Sequence, residues 1–255
     1  MTGGVALLAG GGPALAVRLG LAMTALQLGI GAVNDLIDAP RDAGHKPGKP
    51  IPAGLVSRRL AASIALGAFG LGIALAAPAG PIVLGLALVV IAIGLAYDLR
   101  LKGTAWSWLP FAVGIPILPV FGWAGATGGL DPVFMVLVPA AVAGGAALAI
   151  ANSLVDVDRD RAAGVSSVAV ALGEGTARTV GVVLLVGIVL AAAISAAVLG
   201  GSPEAALAVG WIGVVPLLAA AWAGRADPAR RELAWRVQAI GLAVLAVVWI
   251  QAIGR

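Results

Sequence analysis

The sequence contains no cysteine and a single histidine. Disulfides, zinc–thiolate sites, metal centres built from several histidines and cysteine nucleophiles are therefore excluded, and any metal or acid–base chemistry must use carboxylates. Charge is also scarce, because Asp, Glu, Lys and Arg make up 11% of the 255 residues, whereas an ordinary soluble domain carries about 25%. This composition argues against a water-soluble globular protein.

Aromatic residues are few as well, at 5%, while 61% of the chain is hydrophobic and 37 residues are glycine. Small apolar residues at this frequency are typical of closely packed membrane helices. The formal net charge is +4, but the basic residues are scattered between apolar runs instead of forming one basic face. Nucleic acid is therefore not expected as a partner.

A membrane-crossing helix needs about 20 mostly apolar residues, and short polar or Gly/Pro breaks divide this chain into eight such runs. The sequence predicts an all-α, polytopic transmembrane helical bundle of about eight spans, with residues 1–255 as one integral-membrane domain and residues 1–12 frayed. The predicted runs are 14–38, 57–77, 81–98, 105–125, 132–155, 177–200, 204–224 and 233–253.

Positive charge indicates the orientation, since short cytoplasmic loops collect Lys and Arg. Fourteen of the sixteen basic residues fall in loops on one side of the eight predicted spans. We expect those loops, and an active site near them, to face the cytoplasm, with both termini outside. The predicted location is the plasma membrane of a prokaryote. The N-terminus shows neither a basic leader nor a small-residue cleavage site, so no removable signal peptide is expected.

A first acidic cluster lies at the cytoplasmic end of the first predicted span. Asn34 is followed by Asp35, Asp38 and Asp42, and the three aspartates are spaced i, i+3, i+7, which places them on one face of a helix. The residue before a proline avoids helical geometry, so Pro40 predicts that Asp42 sits on the turn just beyond the helix end.

A second acidic cluster ends the fifth predicted span. The spacing i, i+4, i+8 would place Asn152, Asp156 and Asp160 on one helix face. Asp158 would lie on the opposite face of the same helix. Like charges at i, i+4 repel one another, and a carboxylate at the hydrocarbon edge is costly without a partner. Each cluster therefore calls for a compensating cation.

Two kinds of cation satisfy that requirement. In one interpretation these are solvated acids paired with Arg41, Arg159 and Arg161. The repetition of an Asn with three Asp at the same membrane depth favours another, because Mg2+ prefers carboxylate oxygens and completes its shell with water and phosphate oxygens. We therefore predict that the two acidic helix ends hold Mg2+ and bind a phosphate-bearing substrate at the cytoplasmic face.

All three lysines of the chain fall in the predicted cytoplasmic loops. Lys46 and Lys49 follow the first acidic cluster, and Lys102 follows the third span. Lysine is a compact point charge suited to phosphate, although ordinary loop charge is the alternative. His45 is interpreted as a solvated loop residue rather than a ligand or base.

These segments resemble the UbiA-type intramembrane prenyltransferases, a family marked by an Asn-Asp-x-x-Asp-x-x-x-Asp motif and a second Asp-x-x-x-Asp motif. Both acidic clusters match these motifs in full, and the likeness runs from about residue 14 to the end. Further matches are Gly164 and Leu172-Gly173 after the second motif, Lys49-Pro50-Ile51-Pro52-Ala53-Gly54 with lysine for the usual arginine, and Tyr97-Asp98-Leu99-Arg100-Leu101-Lys102 with Asp98 for the more common serine.

The resemblance implies nine spans, with the first motif ending the second span, whereas only 33 residues precede Asn34 here. One span is therefore expected to be missing at the N-terminus, through a late start or a shortened chain.

The resemblance also implies the activity: Mg2+-dependent transfer of a prenyl group from an isoprenyl diphosphate to a lipophilic, aromatic (quinone-precursor type) acceptor, with release of pyrophosphate. The membrane lipid would surround the site. It assigns the metal to Asp35, Asp38, Asp42, Asp156 and Asp160, amide ligation or orientation to Asn34 and Asn152, and phosphate contacts to Lys49, Lys102 and Arg100.

Two residues keep two interpretations. Asp158 either accepts a proton from the acceptor or pairs with Arg161. Tyr97 either stabilises the prenyl cation through its ring or has only a packing role.

Other classes of function remain open at this point. A cation-coupled transporter would also carry membrane acids, but near the midplane and in inverted repeats, which are not visible here. A CDP-alcohol phosphotransferase would need an Asp-Gly-x-x-Ala-Arg core that the chain lacks. A noncatalytic protein that binds lipid diphosphates is the remaining alternative.

Overall fold

In this computed structural model, which describes residues 1–44, 48–200, 202–223 and 227–253, the regular structure is helical. Within these residues, eight long helices are apolar enough to cross a membrane by length and composition, as the sequence predicts. They and three short ones are α1 (Thr2–Leu8), α2 (Pro13–Asp42), α3 (Arg58–Ala76), α4 (Pro81–Ala96), α5 (Leu109–Thr127), α6 (Phe134–Val155), α7 (Val157–Ala162), α8 (Val168–Leu172), α9 (Glu174–Gly200), α10 (Pro203–Ala223) and α11 (Pro228–Ala252).

Local sequence explains several helix starts. Proline begins α2, α4 and α11, where its missing N–H costs nothing and its fixed φ suits the first turn. The side chain of Ser57 caps α3 by accepting a hydrogen bond from the Leu60 N–H at 3.1 Å. Asp227 caps α11 in the same way through the Arg230 N–H at 2.9 Å. These caps satisfy N–H groups that a helix start leaves without partners.

The N-terminal segment differs from its prediction. Instead of fraying, residues 2–8 form α1, and Ala6 is fully buried there. The hydroxyl of Thr2 donates to the Leu118 carbonyl at 3.3 Å. Gly3 lies so close to α2 that a Cβ would approach the Ala16 carbonyl oxygen to 2.7 Å. Packing of small residues thus holds a segment that the sequence predicts to be frayed.

The chain forms two compact units. The first comprises Met1–Leu101 with Pro116–Asp131, and the second comprises Lys102–Ile115 with Pro132–Arg255.

In the first unit, α2 packs along α3 with glycines at the closest contacts. A Cβ on Gly29 would lie 2.5 Å from the Phe69 ring, and one on Gly72 would lie 2.6 Å from Leu26. Leu19 and Phe121 are fully buried in the same core. Because lipid supplies no hydrophobic drive between helices, this close approach of small residues is what stabilises the pair.

In the second unit, α6, α9, α10 and α11 pack around a core that includes Leu185, Val209 and Leu245. One polar contact lies inside it, where the indole Nε1 of Trp249 donates to the Ser195 hydroxyl at 2.7 Å. A smaller cluster around Val157 and Ala169 joins the short helices α7 and α8 to α6 and α9. This smaller cluster supports the segment that carries the second acidic motif.

Candidate active site

The first acidic cluster lies on one uninterrupted helix. Helix α2 continues to Asp42, with Pro40 inside it, so the prediction that Asp42 sits on the turn beyond the helix is wrong. Proline removes only one backbone hydrogen bond here, and the next turn still closes because the Ala43 N–H donates to the Ala39 carbonyl at 3.2 Å. Asp38 and Asp42 are buried at this helix end.

Lys49 supplies a cation to this cluster. Its Nζ lies 2.5 Å from Asp35 Oδ1, and both side chains are about one-third exposed. The hydrogen bond that Lys49 donates to Asp35, with the charges of Asp35, Asp42 and Asp38, raises the pKa of Lys49 above its usual value of 10.5. A lysine pKa raised by folding stabilises the fold below that usual value, and the contribution is lost only as the pH rises through the higher folded value. Lys49 is therefore cationic at every physiological pH.

A second element approaches the same cluster. Helix α4 ends in a π-helical turn, Tyr97–Leu101, a rare geometry that is frequent at functional sites. Within this turn Asp98 is 6% exposed, and its Oδ1 accepts a hydrogen bond from Asn34 Nδ2 at 2.6 Å. The first unit thus joins Asn34 of the motif to a buried carboxylate that lies 64 residues away in the sequence.

The other predicted residues of this loop have different surroundings. Tyr97 is half-buried at the start of the π-helical turn. Arg100 is exposed in the same π-helical turn. Lys102 follows it on the next turn, half-buried, in the second unit. The first unit therefore brings together Asn34, the three aspartates of the first cluster, Lys49 and Tyr97.

The second acidic cluster lies at a break between two helices. Asp156 ends α6 and precedes α7, with φ −99° and ψ 4°, so Asn152, Asp156 and Asp160 do not share one continuous helix. The prediction of a single helix face is wrong for this segment. The chain still passes the break compactly, because the Asp160 N–H donates to the Asp156 carbonyl at 2.8 Å.

Arginines, not lysines, surround the second cluster. Asp156 pairs with Arg159 at 2.7 Å. Asp158 lies 2.9 Å from Arg231 and 3.5 Å from Arg161. The pairing of Asp158 with Arg161, one of its two predicted interpretations, is thus present in the structure.

This ion-pair network extends to α9. Arg161 also contacts Glu174 at 3.2 Å, and Glu174 pairs with Arg178 at 2.9 Å. Arg231 is the most enclosed of these arginines, with its side chain 12% exposed, and it also donates to the Leu154 carbonyl near the end of α6 at 3.0 Å. Asp158 therefore belongs to a structural network that ties α7 to α9 and α11.

Two predicted residues of the second cluster remain outside this network. Asn152 is exposed on α6, and Asp160 is half-buried on α7. Across the described ranges, neither side chain takes part in a hydrogen bond or ion pair. Their polar atoms are available to a ligand.

Within the part of the chain that the structure describes, no three acidic or histidine side chains are grouped so as to hold a metal ion by themselves. The predicted metal ligands consequently remain a prediction. Lys46 and His45 lie outside the described residues.

Sequence reasoning missed two polar residues that the structure places beside these clusters. Asp98 appears in the sequence only as a replacement for the usual serine, and nothing in its spacing indicates Asn34 as its partner. From the sequence, Arg231 is interpreted as one of the ordinary positive charges of a loop, although in the structure it contacts Asp158, 73 residues away. Both contacts depend on tertiary packing, so a local pattern carries no signal for them.

Solved structures have the same fold. A structure of a digeranylgeranylglyceryl phosphate synthase superposes with a TM-score of 0.77 at 14% identity, covering 99% of this chain and 91% of that one. A UbiA homolog from Archaeoglobus fulgidus bound to GPP and Mg2+ gives a TM-score of 0.69 at 18% identity, covering 97% and 90%. The helical architecture is thus that of the UbiA homologs.

Sequence comparison identifies the family. The chain matches the UbiA prenyltransferase family over residues 1–249. It is 34% identical over 193 residues to digeranylgeranylglyceryl phosphate synthase of Methanopyrus kandleri, covering 74% of this chain and 67% of that protein. Chlorophyll synthase of Avena sativa is 34% identical over 158 residues, covering 57% of this chain and 42% of its own length. The chain belongs to the UbiA prenyltransferase family.

This membership confirms the predicted resemblance, the all-helical membrane fold and the enzyme class, prenyltransferase. The chain is an integral, multi-pass membrane protein. The predicted cofactor agrees with the Archaeoglobus homolog, which is bound to Mg2+ together with GPP. The matches with the two sequence relatives extend over about two-thirds and less than half of their lengths.

Proposed function

We propose that this protein transfers a prenyl group from an isoprenyl diphosphate to a lipophilic acceptor, with Mg2+ as the cofactor. The observation that carries the proposal is the first acidic cluster, where three aspartates at the end of one helix lie beside a lysine held 2.5 Å from Asp35. Carboxylates next to the point charge of a lysine suit a metal–diphosphate ligand better than a purely structural role.

The donor set fits a hard divalent cation. Every candidate ligand is a carboxylate or amide oxygen, and Mg2+ typically takes one or two carboxylates and fills its shell with water and phosphate oxygens. A preformed group of three acids is therefore not required. When bound, Mg2+ supplies charge neutralisation for the departing diphosphate. Asp35, Asp38 and Asp42 would hold a Mg2+ ion in the first unit, and Asp156 with Asp160 would hold one in the second.

The cationic residues have a related task. Lys49 would exchange its contact with Asp35 for a diphosphate oxygen, with Lys102 and Arg100 adding positive charge near the leaving group. The side-chain oxygen of Asn34 would orient the ligand at the first acidic cluster, and that of Asn152 the ligand at the second.

The reaction breaks the bond between the prenyl carbon and the diphosphate oxygen, and the electron pair leaves with pyrophosphate. A nucleophilic atom of the acceptor forms the new bond to that carbon and loses its proton. The Tyr97 ring would stabilise the allylic cation through its face. Asp158 is engaged by two arginines, which favours its structural role over the role of proton acceptor.

The acceptor is proposed as a glyceryl phosphate lipid in the first instance. The Methanopyrus relative, whose name gives digeranylgeranylglyceryl phosphate as its product, matches 74% of this chain. An aromatic acceptor, as predicted from the sequence, is the second candidate, supported by the likeness to chlorophyll synthase over 57% of the chain. In both cases we place the site at the cytoplasmic face of a prokaryotic plasma membrane, where the positive loops lie.

The test is pyrophosphate release by the purified protein in detergent or vesicles. Geranyl, farnesyl and geranylgeranyl diphosphate are supplied with and without Mg2+, and with glyceryl phosphate or aromatic acceptors. We expect release that needs Mg2+, is accelerated by one acceptor class, and is lost in Asp35→Ala and Asp156→Ala.

The matched control is Glu232→Gln, which removes a carboxylate from an exposed pair on α11 and should leave release unchanged. Absence of release from a folded wild-type protein with every donor would overturn the proposal. It would favour a lipid-diphosphate-binding or transport role instead.

A further inference from the structure

Two matched contacts bring α2 and α4 together next to the first acidic cluster. A Cβ on Gly94 would lie 2.5 Å from Ile30, so this glycine lets the helices approach closely. Four residues further along each helix, Asn34 meets Asp98 at 2.6 Å. Residues four apart lie on the same helix face. The glycine contact thus sets the distance at which the polar pair can form.

The chemistry of this pair determines which way the amide points. In this contact the Asn34 nitrogen is the donor and a carboxylate oxygen of Asp98 is the acceptor. The amide oxygen of Asn34 then points away from Asp98. Across the described residues, the Asn34 side chain makes no other hydrogen bond, which leaves that oxygen available to a cation.

The environment of Asp98 makes the contact strong. The carboxylate is 6% exposed, and a charge-assisted hydrogen bond in a low-dielectric interior is stronger than one in water. Its backbone lies in the π-helical turn Tyr97–Leu101.

We propose that Asp98 is a positioning residue that holds the Asn34 amide with its oxygen turned towards the Mg2+–diphosphate ligand. The inference rests on the proposed function. It assigns Asp98 an indirect role: its hydrogen bond orients Asn34, whereas its charge is not itself required to bind the metal. Outer-shell partners of this kind typically contribute 10- to 100-fold to metal affinity or activity.

The test separates the hydrogen bond from the charge. Asp98→Ala removes both, and we expect the Mg2+ concentration for half-maximal binding to rise about 10- to 100-fold. Asp98→Asn keeps an acceptor for the Asn34 amide, so a rise of no more than about threefold is expected. Asn34→Asp places two carboxylates against each other and should weaken Mg2+-dependent binding. The double variant Asn34→Asp with Asp98→Asn exchanges the two partners and restores one hydrogen bond, so it should recover most of the Mg2+ affinity that Asn34→Asp loses.

Binding is read without turnover, as the thermal stabilisation that a prenyl S-thiolodiphosphate gives at increasing Mg2+ concentration. Stability without ligand is recorded in parallel. Ser195→Ala is the matched control, because it removes a buried hydrogen bond of similar length, to Trp249 in the second unit. It should lower the melting temperature and leave the Mg2+ dependence unchanged.

The outcomes distinguish this inference from the proposed function. An Asp98→Ala protein that is less stable but keeps the wild-type Mg2+ dependence would make Asp98 purely structural and overturn the inference. Equal losses in Asp98→Ala and Asp98→Asn would also overturn it, since the charge would then be the required feature. If wild type binds the analogue with Mg2+ but releases no pyrophosphate, the proposed transfer fails and the positioning role is still decided by the binding data. A wild type that neither binds nor reacts would overturn both.

Discussion

The two acidic clusters have nearly the same residues and very different surroundings. The first lies on the unbroken helix α2, where Asp38 and Asp42 are 7% and 5% exposed and Asp35 meets a lysine. The second lies at the break between α6 and α7, where Asp158 is 56% exposed and pairs with two arginines. Like motifs have thus been built into unlike environments.

The two clusters balance their negative charge with different cations. A lysine is a single point charge on a flexible stem, so Lys49 can leave Asp35 for a phosphate oxygen. The guanidinium of Arg231 joins Asp158 to the Leu154 carbonyl, which uses its planar fork to tie two elements together. We infer that the first cluster is the one arranged to change partners, and that in the second cluster only Asp156 and Asp160 share that task.

The largest effect should come from Asp38→Asn, which removes a buried charge from the first cluster with little change in shape. We expect pyrophosphate release, measured as kcat/KM for the prenyl diphosphate, to fall by more than about 100-fold, beyond the usual loss for an outer-shell partner. An Asp38→Asn protein within about threefold of wild type would place the metal elsewhere. The first cluster would then not differ from the second as the one that holds the metal.

Much of the fold follows from the positions of the apolar runs in the sequence. The eight apolar runs correspond to the eight long helices, because about 20 apolar residues in lipid can satisfy their backbone only as a helix. Boundaries were harder to predict. The run predicted to end at residue 38 continues to Asp42, since a proline near a helix end costs a single hydrogen bond that close packing can offset.

The candidate site was predictable only in part. The spacing of Asp35 and Asp38 indicates a shared helix face, and the helix bears this out. No proline or glycine near Asp156 predicts the break between the two helices at this residue. The partners Asn34 and Asp98 are separated by 64 residues, so the approach of α2 to α4 creates the contact and no local pattern contains it.

A smaller effect should separate the members of the second cluster. We expect Asp160→Asn to raise the Mg2+ requirement of pyrophosphate release about 10-fold or more, and Asp158→Asn to leave it within about threefold, because the arginines already occupy Asp158. The measurement is the Mg2+ titration of initial rates for both variants. A reversed order would assign the catalytic role to Asp158 and make Asp160 the structural residue.

The smallest effect concerns stability and tests whether the arginine network is structural. Arg231→Gln removes an enclosed guanidinium that serves both Asp158 and the Leu154 carbonyl, and we expect it to lower the free energy of unfolding by about 1–2 kcal/mol. Arg236→Gln breaks an exposed pair with Glu232 on the same helix, where the loss should stay below about 0.5 kcal/mol. Denaturation of both variants in the same detergent measures the difference. If Arg231→Gln is as stable as Arg236→Gln but loses affinity for the prenyl diphosphate, the second cluster is arranged for the ligand too, and its contrast with the first disappears.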